Sequence, residues 1–284
     1  MVLLALLAPG AAGASSIAYE RVPFRGMAAH AVTVDLSDPE VKVTVALAKG
    51  GAGRAETFKS IMKRTQPSVA ITGTFFDTKT MIPTGDIAVF GTVVHSGCIG
   101  SALCIDTENK ASVVPIKTGR KTRWAGYETV LCAGPTLVSA GKVAIGLRHE
   151  GFRNGLMHST RRTAVGITKA GKLLLVCVNR DASLFDIAKL MIKLNTVSAL
   201  CLDGGSSTAF YYSGGYYAVP GRTLTNCLVA YSSVRRYSQA KTDLAPAKHF
   251  AGSDWKLPEN VTAANPAGVL PGGDAYSAIF ADGR

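Results

Sequence analysis

The stretch that decides the fold is residues 172–208, KLLLVCVNRDASLFDIAKLMIKLNTVSALCLDGGSST. Its first eight residues are nearly all apolar, as expected of a strand that is covered on both faces. Ser183 predicts the start of a helix, because Asp186 completes a capping box and the following apolar residues have helical spacing. A second apolar strand follows at 197–202. Strand, helix and strand in this order predict two parallel strands joined by a helical crossover.

The ends of these two strands predict a ligand site. Parallel strands end at the same edge of a sheet, where ligands bind in such folds. Asn179 follows the first strand and Asp203 the second, so we expect the two side chains to face each other across a crevice. After Asp203 comes the run Gly-Gly-Ser-Ser (204–207), whose backbone N–H groups can form an anion-binding concavity. The alternative is an acidic cap on a tight turn.

Outside this unit the sequence predicts more strands and one more helix. The helix covers 54–65 and is ended by Pro67. Alternating or apolar runs bounded by turn residues predict strands at 31–36, 41–47, 68–72, 208–212, 216–219 and 226–232. The order of helix, short strand and glycine occurs at 55–74 and again at 183–208, which suggests two related halves. We predict an α/β (α+β) fold with a mixed β-sheet flanked by helices.

Length and composition divide the chain into three parts. The 284 residues are 47% apolar and 18% charged, which excludes a wholly disordered chain. Residues 1–14 resemble a signal peptide, with a short apolar stretch followed by small residues, and predict a secreted or periplasmic protein. Residues 15–238 form the predicted domain. Residues 239–284 have poor periodicity and predict an irregular C-terminal extension.

The cysteines give a second indication of the compartment. The chain has six, and an even number fits disulfides outside the cytoplasm. Cys98 and Cys104 flank a short segment with a glycine and are placed to bridge a hairpin. The other four lie within apolar runs, where a free cysteine packs as a small apolar side chain.

Six blocks of sequence, in order, resemble the motifs of the phosphodiester glycosidase family. They are AITGTFFD (70–77), IPTGDIAVFG (82–91), CAGPTLVSAGK (132–142), RRTAVGITKAGKLLLVCV (161–178), ALCLDGGSSTAFYYSGG (199–215) and GRTLTNCLVAY (221–231). The chain departs from the family at Thr72, where asparagine is usual, at Thr74, where glycine is common, and at Asn179-Arg180, where Asp-Gly is usual. The resemblance implies an exported hydrolase that cleaves a sugar from a phosphodiester.

The resemblance and the chemistry together suggest the site residues. A departing phosphate needs cationic support, and arginine matches phosphate oxygens with a planar fork. Arg162 and Arg222 fall in family blocks and are the candidates, although Arg162 could instead lie on the surface. A carboxylate can act as a base or stabilise an oxocarbenium-like centre. Asp203 is the first choice and Asp77 the second, although Asp77 could also cap a turn.

The predicted site residues fall into two sets. The catalytic set is Asp203, Asp77 and Arg162. The substrate-binding set is Thr72, Gly73, Asp86, Asn179, Gly204, Gly205, Ser206, Ser207 and Arg222.

The sequence also bears on cofactors and partners. Asp203 with Asp77 could hold a hard divalent cation, but no metal-binding motif is present, so we predict no metal and no other cofactor. The expected partner is a sugar phosphate or a phosphodiester-linked glycan, in keeping with the net charge of +12. A non-catalytic binder of anionic cell-surface glycan is the alternative. Nucleic acid is disfavoured because no recognition motif accompanies the scattered basic residues, and no apolar run reaches the roughly 20 residues of a membrane span.

Overall fold

The structure, a computed structural model, describes residues 15–116 and 122–244. The predicted signal peptide at 1–14 and residues 245–284 of the predicted extension lie outside the described residues. The helices are α1 (Phe58–Thr65), α2 (Leu184–Lys193) and α3 (Val234–Leu244). The strands are β1 (Ile17–Phe24), β2 (Met27–Val34), β3 (Lys42–Leu47), β4 (Val69–Thr72), β5 (Ile87–Val89), β6 (Thr92–His95), β7 (Ser101–Asp106), β8 (Ala111–Pro115), β9 (Tyr127–Ala133), β10 (Thr136–Ser139), β11 (Lys142–Val143), β12 (Thr160–Thr168), β13 (Leu173–Ala182), β14 (Thr196–Leu202), β15 (Phe210–Tyr212), β16 (Gly215–Ala218) and β17 (Asn226–Tyr231).

A seven-stranded sheet carries the decisive stretch, in the order β1-β2-β13-β12-β14-β10-β11. Strands β13 and β14 run in the same direction, as predicted, but they are not neighbours. Strand β12 lies between them and pairs antiparallel with both. The two strands still end at the same edge of the sheet, so the prediction of a shared edge survives this difference.

Helix α2 covers one face of this sheet. The Ser183 hydroxyl accepts a hydrogen bond from the Asp186 N–H at 3.1 Å, and the Asp186 carboxylate accepts one from the Ser183 N–H at 3.0 Å. This is the predicted capping box, which contributes about 1 kcal/mol. The chain leaves the helix through Asn195, whose φ of +62° is the left-handed conformation predicted for it. The buried side chains of the helix pack on the sheet, and they are Leu184, Ile187, Ala188, Leu190 and Met191.

A five-stranded sheet, in the order β16-β15-β4-β17-β3, packs on the other face of the first sheet. The main core lies between them and is filled by apolar side chains such as Val165, Leu200, Ile71 and Leu228. Helices α1 and α3 cover the outer face of the five-stranded sheet. A third sheet, in the order β6-β5-β9-β7-β8, closes one side of the same core.

The predicted α+β class is confirmed, with differences in detail. Every strand pair that the structure describes is antiparallel, whereas a mixed sheet was predicted. Helix α1 begins at Phe58 rather than residue 54, because the Thr57 hydroxyl caps it by accepting from the Ser60 N–H. The predicted boundary at residue 238 falls within α3, so residues 239–244 are helical. None of the described helices has the length and apolarity of a membrane span.

The cysteines differ from the sequence-based expectation. None of the six forms a disulfide, and Cys98 and Cys104, which the sequence placed to bridge a hairpin, are not joined. Cys104 lies buried in the middle of β7, and its thiol donates towards the Ala102 carbonyl. The other four are fully buried, as expected for cysteines that pack as small apolar side chains.

Candidate active site

Two chain segments meet at the edge where β14 and β4 end. Asp203 directly follows β14, and Gly73 directly follows β4. The Asp203 N–H donates to the Gly73 carbonyl oxygen at 3.1 Å, which joins the two sheets at this point. A methyl group on Gly73 would lie 1.8 Å from Oδ1 of Asn226, so a larger residue would displace the Asn226 side chain. The repeated order of helix, strand and glycine thus brings both of its glycine-containing ends to one place.

Residues 204–207 form a tight bend after Asp203, with a single turn of 3-10 helix at Gly205–Ser207. The Ser207 N–H donates to the Gly204 carbonyl at 2.9 Å. A side chain on Gly204 would place its first carbon 2.6 Å from the Arg161 carbonyl oxygen, so the bend can press against β12 only as glycine. We call residues 204–207 the Gly-Ser bend. The bend holds the Gly204 N–H and the Ser207 hydroxyl against the Asp203 carboxylate.

Thr72 supports the Gly-Ser bend from β4. Its hydroxyl donates to the Ser207 carbonyl at 2.6 Å and accepts from the Ala209 N–H at 2.8 Å. Thr72 is fully buried, and both of these bonds go to the backbone that carries the bend. Its place is therefore beneath the bend, and its predicted role in binding substrate stays a prediction.

Asp203 is half-buried and carries a perturbed carboxyl group. Its Oδ1 accepts from the Gly204 N–H at 2.8 Å, and the Ser207 hydroxyl also hydrogen bonds to it. Removal from water raises the pKa of Asp203 to about 6. The hydrogen bonds and the positive charges of Arg222 and Arg162 act in the opposite direction and only partly offset the effect of burial. A carboxyl group of this kind changes charge close to neutral pH, which is typical of functional sites.

Arg222 is the more accessible of the two arginines near Asp203. It is half-buried, and its charge lowers the pKa of the Asp203 carboxyl. Its loop is attached to the Gly-Ser bend, because the Gly221 N–H donates to the Ser206 carbonyl at 2.8 Å. The structure therefore brings Arg222, the bend and Asp203 together, while the predicted role of Arg222 in binding substrate stays a prediction.

Arg162 is buried, with 2% of its surface exposed. Its Nε donates to the Ala182 carbonyl at 3.1 Å, and its terminal nitrogen donates to the carbonyls of Leu156 at 2.8 Å and of His158. Through these bonds, Arg162 in β12 holds the end of β13 and the segment that precedes β12. The alternative of a surface arginine is wrong for Arg162, and its neighbour Arg161 takes the outer position.

Arg161 and Asn179 lie together at the rim. The Arg161 guanidinium donates to Asn179 Oδ1 at 3.5 Å, which is a weak contact between exposed groups. The register of β13, β12 and β14 places both residues at the same sheet edge as Asp203. Asn179 is thus at the predicted edge, and its predicted role in binding stays a prediction.

The two other predicted carboxylates are engaged in local structure. Asp77 Oδ1 accepts from the N–H groups of Lys79 at 2.9 Å and Thr80 at 2.8 Å, which makes it the cap of its own turn. Asp86 accepts from Trp124 Nε1 at 2.6 Å and from the Gly97 N–H at 2.6 Å. Within the described ranges, no hydrogen bond or ion pair joins Asp77 to Asp203. The capping alternative therefore describes Asp77, while its predicted catalytic role stays a prediction.

One supporting residue was not among the predicted site residues. Asn226 is buried at the start of β17, and its Oδ1 accepts from the Thr74 N–H at 2.9 Å. The Gly73 N–H in turn donates to the Asn226 carbonyl at 3.2 Å. Asn226 thus fixes the turn after β4. Its place in the GRTLTNCLVAY block was the signal that could have identified it.

Among residues 15–116 and 122–244, no group of three or more His, Cys, Asp or Glu side chains is arranged to hold a metal ion.

Comparison with known proteins identifies the class. The family model for phosphodiester glycosidases matches residues 65–231, more than half of the chain. The chain therefore belongs to the phosphodiester glycosidase family of hydrolases, which confirms the resemblance seen in the motifs. A search of curated protein sequences found none that matches this one.

Solved structures supply the individual neighbours. One is the catalytic domain of zebrafish N-acetylglucosamine-1-phosphodiester alpha-N-acetylglucosaminidase, described as auto-inhibited by its pro-peptide. The two sequences are 20% identical, the match covers 78% of this chain and 85% of that chain, and the TM-score is 0.63. A hypothetical protein from Synechocystis has 15% identity, a TM-score of 0.64 and 75% of this chain covered, and the match spans 61% of its own length. A putative exported protein from Burkholderia pseudomallei has 15% identity, a TM-score of 0.57, and 72% of this chain and 74% of that chain covered. At these identities the structures establish a shared fold.

Proposed function

We propose that the chain hydrolyses the bond between a sugar and a phosphodiester, with Asp203 as its central catalytic residue. The observation that carries the proposal is the position of Asp203, whose raised pKa of about 6 belongs to a carboxyl beside the Gly-Ser bend and Arg222. Family membership supports the reaction class.

The bond to be broken joins the anomeric carbon to a phosphate oxygen. In the proposed step a water molecule adds to the anomeric carbon and gives a proton to the Asp203 carboxylate. The electron pair of the broken bond leaves with the phosphate oxygen, so the products are a free sugar and a phosphate monoester. The proton on Asp203 then passes to solvent. Asp203 must be ionised to act as this base, which requires a pH above its pKa of about 6.

The developing charge on the phosphate needs a fixed positive partner. Arg222 is half-buried near Asp203 and presents a planar fork that can donate two parallel hydrogen bonds to phosphate oxygens. Within the Gly-Ser bend, the Gly204 and Ser207 N–H groups and the Ser207 hydroxyl are already bonded, so Gly205 and Ser206 are the further donors that we propose. Arg162 is bonded to three backbone carbonyls, so it holds the surrounding segments in position. It also adds positive charge near Asp203. Gly73 allows the ends of β4 and β14 to lie close to each other.

A chromogenic sugar 1-phosphodiester tests the proposal. The wild-type chain is expected to release the chromophore, and Asp203→Ala is expected to lose about 10²–10⁴-fold in kcat, the range typical of an acid–base residue. Asp106→Ala, at the last residue of β7, where the carboxylate accepts from the N–H groups of an exposed turn, is the matched control and should keep full activity. Binding of the substrate without turnover in either protein would favour the alternative, a non-catalytic binder of anionic glycan, and refute the enzyme.

The proposal requires no cofactor, because Arg222 supplies the positive charge that a divalent cation would otherwise supply. Dialysis against EDTA is therefore expected to leave the rate unchanged. A loss of activity that Mg²⁺ or Ca²⁺ restores would contradict this part of the proposal.

We also propose that the protein is exported and acts on a glycan or glycoconjugate outside the cytoplasm. The support is the signal-like sequence of residues 1–14 and the description of one structural neighbour as a putative exported protein. Fractionation of the producing cells tests this point: the chain should be found outside the cytoplasm and should begin near residue 15. Recovery of the full-length chain from the cytoplasm would contradict it.

A further inference from the structure

A cavity lies at the other end of β4 from Asp203. Its volume is about 740 Å³, within the range of small-molecule sites. Ser68, just before β4, lines it, whereas Thr72 at the far end of the same strand supports the Gly-Ser bend. Four residues of strand separate the two ends by about 13 Å. The cavity is therefore distinct from the candidate active site.

The charges around this cavity have one sign. Lys63 near the end of α1 and Arg236 in the first turn of α3 both line it. Both side chains are exposed, and no described acidic residue forms an ion pair with either. None of the described lining residues is acidic. Two cations from different helices, converging on one concave surface, favour an anionic ligand.

The remaining wall is suited to a sugar. Tyr216 is 39% exposed, and its ring is held by Tyr211 at a centroid distance of 5.2 Å and by Phe58 at 5.9 Å. A ring that is fixed in this way offers an apolar contact at a low entropic cost. The hairpin turn at Ser213 and the Ser68 and Ser232 hydroxyl groups, which are 3.0 Å apart, add polar groups that can donate to or accept from sugar hydroxyls.

We propose that this cavity is a secondary binding site for an anionic saccharide, with the phosphate or sulfate group between Lys63 and Arg236 and the sugar against Tyr216. The choice of a saccharide rests on the proposed function, whereas the cavity and its charge do not. Such a site would hold a charged sugar unit away from the point of cleavage.

The first test is binding of glucose 6-phosphate, measured by calorimetry against glucose and inorganic phosphate. The wild-type chain should bind glucose 6-phosphate more tightly than either comparison compound. Lys63→Ala combined with Arg236→Ala should weaken this binding at least tenfold, which is the size of effect expected when charge-assisted hydrogen bonds are lost. The matched control is Lys59→Ala combined with Arg235→Ala, which removes the same charge from exposed positions on the same helices outside the cavity. An equal loss in both double variants, or no loss in either, would overturn the site.

Tyr216 provides an independent test. Tyr216→Phe keeps the ring and should keep the affinity, whereas Tyr216→Ala should lower it. If inorganic phosphate binds as tightly as glucose 6-phosphate, and Tyr216→Ala has no effect, the cavity takes a free anion and the saccharide proposal fails.

Hydrolysis separates this inference from the proposed function. Turnover of the small chromogenic phosphodiester should be unchanged in the Lys63 and Arg236 double variant, because these residues lie away from Asp203. An active enzyme whose glucose 6-phosphate binding is unaffected by the variants refutes the secondary site alone. An inactive wild-type chain whose binding depends on Lys63 and Arg236 refutes the proposed function and leaves the site standing.

Discussion

Replacing Asp203 with asparagine is expected to stabilise the folded chain at neutral pH while it removes most of the hydrolytic activity. Burial raises the pKa of this carboxyl from 3.8 to about 6 in the folded state. Above that pH the folded chain holds a carboxylate that water would solvate better in the unfolded chain. The rise from 3.8 to about 6 corresponds to up to about 3 kcal/mol of lost stability. An asparagine of similar shape carries no charge and avoids this loss.

The stabilisation has a defined pH dependence. Between about pH 4 and 6, folded Asp203 keeps a proton that the unfolded aspartate has released. Folding takes up a proton in this window, so the contribution of Asp203 to the free energy of unfolding falls as the pH rises. The difference between Asp203→Asn and wild type should therefore be smallest below about pH 4 and reach its full value above the pKa of about 6.

Urea denaturation at a series of pH values measures this difference directly. Asp35→Asn is a control of opposite sign, because a hydrogen-bonded ion pair with Lys172 lowers the pKa of Asp35 to about 2. That variant should be less stable than wild type at neutral pH, and the deficit should shrink in acid. The claim that folded Asp203 carries a desolvated carboxylate fails if Asp203→Asn is less stable than wild type at about pH 8. It also fails if the difference in the free energy of unfolding does not change with pH.

Three further substitutions test the site. Arg222→Ala should lower kcat/KM by about 10²–10³-fold because a donor to the leaving phosphate is lost. The kcat/KM of Arg222→Lys should lie between those of Arg222→Ala and wild type. Activity of Arg222→Ala equal to that of wild type in steady-state assays would contradict the role of Arg222 in binding the phosphate. Arg162→Ala should lower the free energy of unfolding in urea by about 3 kcal/mol or more, because buried carbonyls lose their donor; an unchanged midpoint would refute this structural role of Arg162. Gly204→Ala should lower kcat/KM about 100-fold, since its methyl would lie 2.6 Å from the Arg161 carbonyl. Gly146→Ala, where the nearest atom is 3.7 Å away, is the control, and full activity in Gly204→Ala would refute the need for close approach.

Local features were predictable because they depend on residues close in sequence. The capping box at Ser183 and Asp186 and the left-handed Asn195 follow from a few neighbouring side chains. The pairing of strands was less predictable, because any strand can insert between two others. Nothing in residues 172–208 indicates that β12, which precedes them, lies between β13 and β14.

The candidate site was predictable at its centre and less so around it. Asp203 and the Gly-Ser bend were identified because a carboxylate, two glycines and two serines directly follow an apolar strand. The engagement of Asp77 with Lys79 and Thr80 depends on how its loop folds back. The burial of Arg162 depends on the segment that packs over it, which contains two of its three carbonyl acceptors. Neither property has a signature within the residue's own motif.

The pH dependence of hydrolysis tests the central role of Asp203 most directly. With a chromogenic sugar 1-phosphodiester, kcat/KM of the wild-type chain should rise with pH and level off above a pKa of about 6, because only the ionised carboxylate can accept the proton of water. The rising limb should vanish in the residual activity of Asp203→Asn. A wild-type profile that is flat from about pH 4 to 8, or one that keeps the same limb in Asp203→Asn, would contradict the account.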